Sequence, residues 1–113
     1  MIFFKNTVCE TDSRVVYFEA IDNDETVGSC ILVLREKFAE VTKLSFDGKS
    51  TFIAEGLLKS SFNYAALKNY YIAKCSVNGL DALLLRLGFQ FDSGEYTSDI
   101  PTILMGSCNN CSN

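Results

Sequence analysis

The sequence contains no histidine, no tryptophan, a single proline and no run of basic residues. The lack of histidine excludes histidine-based nucleophile triads and most catalytic zinc sites. A net charge of −4 without a basic cluster argues against nucleic acid as a partner, because that binding depends on lysine and arginine neutralising phosphates. One proline and no low-complexity stretch indicate a chain that folds throughout, apart from its C-terminal tail.

Long apolar runs are also missing. The N-terminal stretch MIFFKNTVCE is too short for a secretion signal, and no segment approaches the roughly 18 apolar residues of a membrane span. The cysteines number five, and two of them lie within apolar strand-like runs, which favours reduced thiols. We therefore expect a cytoplasmic protein without a membrane partner.

Apolar content is sufficient for one core. The chain has 113 residues, of which 48% are hydrophobic and 12% aromatic. A single core of that size buries roughly two thirds of the unfolded surface. We predict one domain over residues 1–113, with a short N-terminal segment at 1–14 and a cysteine-containing tail at 108–113.

Two β-rich runs, at 15–21 and 27–34, are separated by the polar residues 22–26. Such a polar stop predicts a hairpin turn. The acidic residues of the turn lack the glycine and the later glutamate of a calcium loop, so a solvated turn is favoured. Both runs are apolar at odd and even positions, which predicts a sheet covered on both faces.

The third strand, at 39–46, has an irregular pattern. Under strict alternation Val41 points to one face, whereas Leu44 and Phe46 point to the other. One extra residue near 42–44 would form a β-bulge and bring all three to one side. Burial of both faces explains the pattern equally well.

The second half of the chain predicts helices alternating with strands. A helix is predicted over 51–69, capped by Ser50 or Thr51, and a strand over 70–75. In the next helix Asn78 is the predicted N-cap, leucines follow at helical spacing, and Gly88 supplies the left-handed end. Strands are predicted at 90–97 and 102–108. This order predicts an α/β fold with a mixed, mostly antiparallel sheet, a central parallel pair and helices packed on the sheet.

The stretch DGKST at 47–51 contains the letters that end a nucleotide phosphate loop. A P-loop requires a glycine five positions before Gly48, where this chain has Lys43. Lysine does not permit the tight backbone wrap around a phosphate. The sequence therefore excludes a triphosphate site of this kind.

The order of elements, the predicted bulge and the ending NGLDALLLRLGF at 78–89 resemble the GNAT superfamily, the acetyl-coenzyme A-dependent N-acetyltransferases. The resemblance covers roughly residues 15–107. It implies a bulged strand that splays from its parallel neighbour, with the pantetheine arm of acetyl-coenzyme A in the resulting V. It also implies a loop whose backbone N–H groups bind the pyrophosphate at a helix N-terminus.

In that family the pyrophosphate loop reads Arg or Gln, two residues, Gly, one residue, then Gly or Ala. The matching residues are 49–54, where Lys49 keeps the positive charge, Ala54 is an accepted variant and Phe52 replaces the central glycine. Asn78 matches the family asparagine before the last helix. The resemblance implies coenzyme A contacts at Leu44, Ser45, Phe46, Lys49, Ser50, Thr51, Phe52, Ile53, Ala54 and Asn78.

The catalytic residues of the family are matched less well. The family often has a tyrosine, as general acid, at the position held here by Leu84. The resemblance implies Glu40 as the nearest candidate for the general base. The alternative for Glu40 is an exposed edge carboxylate.

A C-x-x-C pair, Cys108 and Cys111, ends the sequence. Too few residues follow to form a helix that would lower a thiol pKa, and the pair supplies only two of the four ligands that zinc needs. A solvated tail is favoured, with a metal or dithiol role as the alternative.

Three functions remain open at this stage. The first is a small N-acetyltransferase that moves an acyl group from acetyl-coenzyme A to an amine of a small molecule or peptide. The second is a degenerate, non-catalytic GNAT-like module for binding or self-association, and the third is a thiol- or metal-dependent module. Residues 1–14 leave no room for the two family helices that cover one sheet face, so we predict a homodimer that buries this face.

Overall fold

The computed structural model describes residues 1–47 and 51–105. Within them the chain forms seven strands and two helices of seven residues or more, and residues 100–105 form a shorter helical segment. The elements are β1 (Ile2–Val8), β2 (Val15–Asp22), β3 (Glu25–Leu34), β4 (Ala39–Phe46), α1 (Phe52–Leu67), β5 (Ile72–Cys75), α2 (Asp81–Leu87), β6 (Gln90–Asp92) and β7 (Glu95–Asp99). No helix among the described residues is both long and apolar enough to cross a membrane.

The strands form one mixed sheet in the order β1-β2-β3-β4-β5-β7-β6. Every neighbouring pair is antiparallel except β4 and β5, which run parallel on either side of α1 in the chain. A strand, a helix and a second parallel strand form the crossover that the sequence predicts. The predicted mixed sheet with a central parallel pair is confirmed.

β4, the strand with the irregular apolar pattern, contains the predicted bulge. The register between β3 and β4 shifts between Ile31 and Leu32, so Thr42 is an extra residue in β4 without an opposite partner. Because of this extra residue, Val41 and Leu44 face the same side of the sheet. Val41 is fully buried, and Leu44 packs against the buried cluster.

The core lies on one face of the sheet. In β2 and β3 buried residues alternate with half-buried or exposed ones, and Tyr17, between buried Val16 and Phe18, is 42% exposed. The helix α1 packs on the buried face, and α2 lies beside it, with Arg86 Nη2 2.9 Å from Glu55 Oε1. The prediction of a sheet covered on both faces is therefore wrong for the described residues.

The outward face tolerates water because many of its side chains are polar or amphipathic. Lys5 of β1 lies opposite Glu19 of β2, and Glu19 lies opposite Ser29 of β3. An antiparallel region can leave such a face solvated. The apolar residues at odd positions of the strands gave a misleading signal because several of them are only half-buried.

The N-terminal segment 1–14 contains β1, a strand that the sequence analysis did not predict. It pairs antiparallel with β2 and forms one edge of the sheet. Phe4 of this strand packs over Gly56 of α1, where a Cβ would lie only 2.8 Å from two carbons of the Phe4 ring. Only glycine leaves that space, so the pair joins the edge strand to the helix.

The C-terminal region differs from the prediction. Residues 90–99 form a hairpin of two strands, with Ser93 and Gly94 at positive φ in its turn. Residues 102–105 are helical instead of extended, because Asp99 caps this helix: Thr102 N–H donates to Asp99 Oδ2 at 3.0 Å. The rest of the predicted strand 102–108 lies outside the described residues.

Asn78 is not the N-cap of α2. The helix begins at Asp81, and Leu80 holds the cap position without a side-chain hydrogen bond. Gly79, with φ of 86°, makes a turn between Asn78 and the helix. Gly88 ends α2 in the left-handed conformation, with φ of 106°, as predicted.

The leucine stripe of α2 gives a stability prediction. Leu84 is fully buried, whereas its neighbour Leu85 is 57% exposed. We expect Leu84→Ala to lower the free energy of unfolding by about 2–5 kcal/mol, because truncation leaves a cavity. The matched variant Leu85→Ala should change it by less than about 0.5 kcal/mol.

Urea denaturation followed by circular dichroism measures both variants. A loss below about 1 kcal/mol for Leu84→Ala would show that this stripe does not hold the helix on the core.

Candidate functional site

The parallel strands β4 and β5 pair over only three residues each. Ala39–Val41 lie beside 73–75, and the last backbone contact is Ser76 N–H donating to the Val41 carbonyl oxygen at 3.1 Å. Beyond this point β4 continues along β3 to Phe46, whereas the chain after Ser76 leads to α2. The edge of β4 that faces β5 therefore has no partner strand beyond Val41 among the described residues.

A cleft of about 440 Å³ fills the space where the two strands part. We call it the strand cleft. β3 and β4 form one wall, and the three residues after β5 form the other. Its described lining consists of Ser29, Cys30, Ile31, Thr42, Lys43, Leu44, Ser45, Ser76, Val77 and Asn78.

The strand cleft combines neutral polar, apolar and positively charged groups. Lys43 is the one charged side chain in its described lining. The hydroxyl oxygens of Ser29 and Ser45 lie 3.4 Å apart, and Leu44 and Val77 supply apolar surface. In a chain of net charge −4, this cleft suits a ligand with a neutral body and a negative charge.

Cys30 is the buried thiol of the strand cleft. Its Sγ lies 3.1 Å from Ser61 Oγ, and that hydroxyl donates to the Leu57 carbonyl oxygen at 2.8 Å. Burial raises the pKa of Cys30 to about 11, although the hydrogen bond to Ser61 lowers it in part. At neutral pH the group is a thiol and not a nucleophilic thiolate, so it serves packing.

Five residues separate the end of β4 from the N-terminus of α1. The helix begins at Phe52, which is 63% exposed, and Thr51 at its N-cap makes no side-chain capping bond. The first-turn N–H groups of any helix lack acceptors inside the helix and favour anions. Ala54 is buried in the core cluster.

The predicted contact residues divide into three groups. Leu44, Ser45 and Asn78 line the strand cleft. Residues 51–54 form the start of α1, and Phe46 packs against the core at the end of β4. Lys49 and Ser50, like Cys108 and Cys111, lie outside the described residues.

Sequence reasoning missed several lining residues, among them Lys43, Val77 and Cys30. Lys43 lies inside the stretch 42–44 where the bulge was predicted, so the predicted bulge is the sequence signal that could have placed Lys43 at the cleft. Val77 and Cys30 gave no polar signal, because each reads as an ordinary core residue in its run.

Glu40 lies on β4 before the bulge and is absent from the described lining of the strand cleft. Its Oε1 is 3.1 Å from Arg35 Nη2, and its side chain is 19% exposed. The Glu40 carboxylate is therefore engaged by the Arg35 guanidinium and does not belong to the described lining of the cleft. Leu84 is fully buried, so it fills space in the core at the position of the family tyrosine.

A second cleft lies on the other side of the segment 76–78, between α2 and the β6–β7 hairpin, and has a volume of about 370 Å³. We call it the hairpin cleft. Ser76, Val77 and Asn78 line both clefts. The two spaces therefore adjoin along one short segment.

Comparison with known proteins shows likeness in structure only. No protein-family model and no curated protein matches the sequence. A protein from Exiguobacterium sp. 255-15 described as an acetyltransferase has 18% identity and a TM-score of 0.69, over 80% of this chain and 66% of its own. The PaiA N-acetyltransferase of Thermoplasma acidophilum, in complex with coenzyme A, has 15% identity and a TM-score of 0.63, over 78% of this chain and 61% of its own.

A third structure is of similar length. The Escherichia coli protein YhhK, described as an N-acetyltransferase and bound to coenzyme A, has 11% identity and a TM-score of 0.63. The match covers 88% of this chain and 98% of that protein. The match thus spans 66% and 61% of the first two structures, less than two thirds of each, but nearly all of the third.

The buried thiols give a reactivity prediction. A pKa of about 11 leaves about one Cys30 in ten thousand ionised at pH 7. Cys9 is less buried, and its hydrogen bond with Thr11 lowers its pKa. Brief treatment with iodoacetamide at neutral pH should therefore label Cys9 far faster than Cys30.

Peptide mass spectrometry assigns the label to each cysteine. Urea-unfolded protein is the control, in which both cysteines should react at similar rates. Equal labelling in the native state would contradict the buried, protonated state of Cys30.

Proposed function

We propose that this chain, which has the GNAT fold, is an acyl-coenzyme A-dependent N-acyltransferase that uses acetyl-coenzyme A and an amine acceptor. The observation that carries the proposal is the strand cleft, which opens where β4 parts from β5 after the Thr42 bulge. Three of the residues implied for coenzyme A by the family resemblance, Leu44, Ser45 and Asn78, line this cleft.

The chemistry of the lining supports a coenzyme A ligand. The unpaired edge of β4 offers backbone hydrogen-bonding groups to an amide-containing chain. Lys43 and the N-terminus of α1 supply positive charge for phosphates, the latter through its first-turn N–H groups. Lys43 is the one charged side chain in the described lining of the cleft, which gives it a measurable part in binding.

The residues of the strand cleft bind and orient the substrates. Acetyl-coenzyme A supplies an activated acyl group as a thioester. In the transfer the amine nitrogen bonds to the acyl carbon, the carbon–sulfur bond breaks, coenzyme A leaves as its thiolate with the electron pair of that bond, and the amine proton passes to water. Because the described lining contains no carboxylate, catalysis depends on proximity and on backbone N–H groups at the acyl oxygen.

Isothermal titration calorimetry with coenzyme A at low ionic strength tests the proposal. We expect saturable binding, and Lys43→Glu should weaken it about three- to tenfold, because it reverses the cleft's positive charge. The matched variant Lys37→Glu makes the same charge change at an exposed residue outside the described lining of the cleft and should have little effect. Raising the salt concentration should reduce the difference between the two variants.

Two results would contradict the proposal. One is the absence of binding by the folded wild-type protein. The other is an equal loss of affinity in both lysine variants, which would place the coenzyme away from the strand cleft.

The second candidate is a non-catalytic GNAT-fold module that self-associates, and the uncovered sheet face favours it. Phe3 and Tyr17 are 53% and 42% exposed on this face. Lys5 and Glu19 lie opposite each other in the register of β1 and β2, so the face carries both signs of charge. A second copy, placed antiparallel about a two-fold axis, brings each charge to its opposite.

Sedimentation velocity at micromolar concentration measures this association. We expect a species of twice 12.6 kDa in the wild type, and a shift toward monomer in Tyr17→Glu, which puts a charge into the apolar contact. Leu67→Glu, at a 75% exposed residue near the end of α1, is the control and should remain dimeric. A wild-type monomer contradicts the self-associating module.

A further inference from the structure

The hairpin cleft is lined by two carboxylates and two aromatic rings. Its described lining is Cys75, Ser76, Val77, Asn78, Asp81, Phe91, Gly94, Glu95 and Tyr96. No lysine or arginine belongs to this described lining, in contrast to the strand cleft with Lys43. The two adjoining clefts therefore differ in the sign of the charge that they present.

The two carboxylates differ in what neutralises them. Glu95 forms an ion pair with Lys74, with Oε1 2.7 Å from Nζ. Asp81 accepts a hydrogen bond from Tyr96 O–H at 2.9 Å, and within the described residues it forms no ion pair. Asp81 is thus an anion held by a neutral donor, with its charge available to a cation in the cleft.

An exposed aromatic ring lines the same cleft as this carboxylate. The rings of Phe91 and Tyr96 are 4.9 Å apart and tilted by 60°, and Tyr96 also donates to Asp81. Phe91 is 60% exposed on β6, although a large apolar ring favours burial. A carboxylate and an exposed aromatic ring that line one cleft can together bind an organic ammonium group, the first by charge and the second by cation–π attraction.

We infer that the hairpin cleft binds the ammonium group of an organic amine, with Asp81 as its counter-ion and Phe91 as its aromatic contact. Resting on the proposed function, this assigns the acceptor to the amines that carry a second, cationic nitrogen. The nitrogen that receives the acyl group must be neutral in the strand cleft, whereas the other keeps its charge in the hairpin cleft. Val77 and Asn78, which line both clefts, lie between the two nitrogens.

The test uses the protein without coenzyme A, so that it is independent of acyl transfer. Hexane-1,6-diamine is the probe, and hexane-1,6-diol, of the same length but uncharged, is the control. Titration near neutral pH, followed by backbone amide chemical shifts, should give saturable changes at Asp81, Phe91 and Tyr96 with the diamine. The diol should give none.

Substitution separates the carboxylate from general charge effects. Asp81→Asn should weaken diamine binding at least about tenfold, the factor equivalent to about 1.4 kcal/mol of binding free energy. Asp24→Asn is the matched control, because it removes the same charge from the β2–β3 turn, where the positive φ of 70° suits asparagine equally. Affinity should be unchanged in this control.

Two further substitutions guard against loss of folding. Phe91→Leu keeps an apolar side chain at an exposed edge position and removes the ring face, so binding should weaken while the other amide signals stay in place. Tyr96→Phe keeps the ring and leaves the Asp81 oxygen free, so binding should be retained. A role for Asp81 in structure alone predicts loss of binding in Tyr96→Phe as well.

The outcomes separate this inference from the proposed function. Coenzyme A binding together with diamine shifts elsewhere, or with equal affinities in Asp81→Asn and Asp24→Asn, overturns the cation site and leaves the acyltransferase proposal standing. If the protein binds the diamine at Asp81 but does not bind coenzyme A, the cation site is supported and the acyl-transfer proposal is rejected. If neither the diamine nor coenzyme A binds, both the cation site and the acyltransferase proposal are rejected.

Discussion

Thr42 of β4 has no opposite residue in β3, and both the core packing of β4 and the strand cleft depend on this extra residue. The extra residue changes the phase of β4, so that Val41 and Leu44 both face the helices. It also bends the strand locally, as bulges do, near the point where pairing with β5 ends. A regular strand would send Leu44 to the solvated face and would continue beside β5, and the cleft would be lost.

The segment 76–78 divides the site into two adjoining clefts. It begins where Ser76 donates to the Val41 carbonyl oxygen, and it separates the strand cleft from the hairpin cleft. Lys43 on one side and Asp81 on the other lie in surroundings of opposite charge within a small protein. If the proposed function and the cation site hold, this division favours an anionic donor in one cleft and a cationic acceptor in the other.

The sequence predicted those parts of the fold that depend on local periodicity and on breaks in it. The strand 39–46 and the helix near 52–67 were recovered, and the bulge was one of the two explanations that the phase of Val41 and Leu44 allowed. β1 was missed because IFFKNTV mixes apolar and polar residues, and its burial comes from Phe4 packing over Gly56, a contact between distant parts of the chain. The final helix was missed because its start depends on Asp99 accepting from Thr102, which outweighs the extended preference of the residues near Pro101.

The placement of α1 at the cleft depends on two close approaches that only glycine permits. At the first turn, a Cβ on Gly28 would lie 2.7 Å from Ile53 Cγ2, so the helix packs directly on the backbone of β3 beside Ser29. One turn further on, Gly56 admits the ring of Phe4 from β1. The helix is thereby held between the edge strand and the strands that form the cleft wall. A helix N-terminus acts on an anion only at short range, and this close packing brings the start of α1 beside Ser29, which lines the strand cleft.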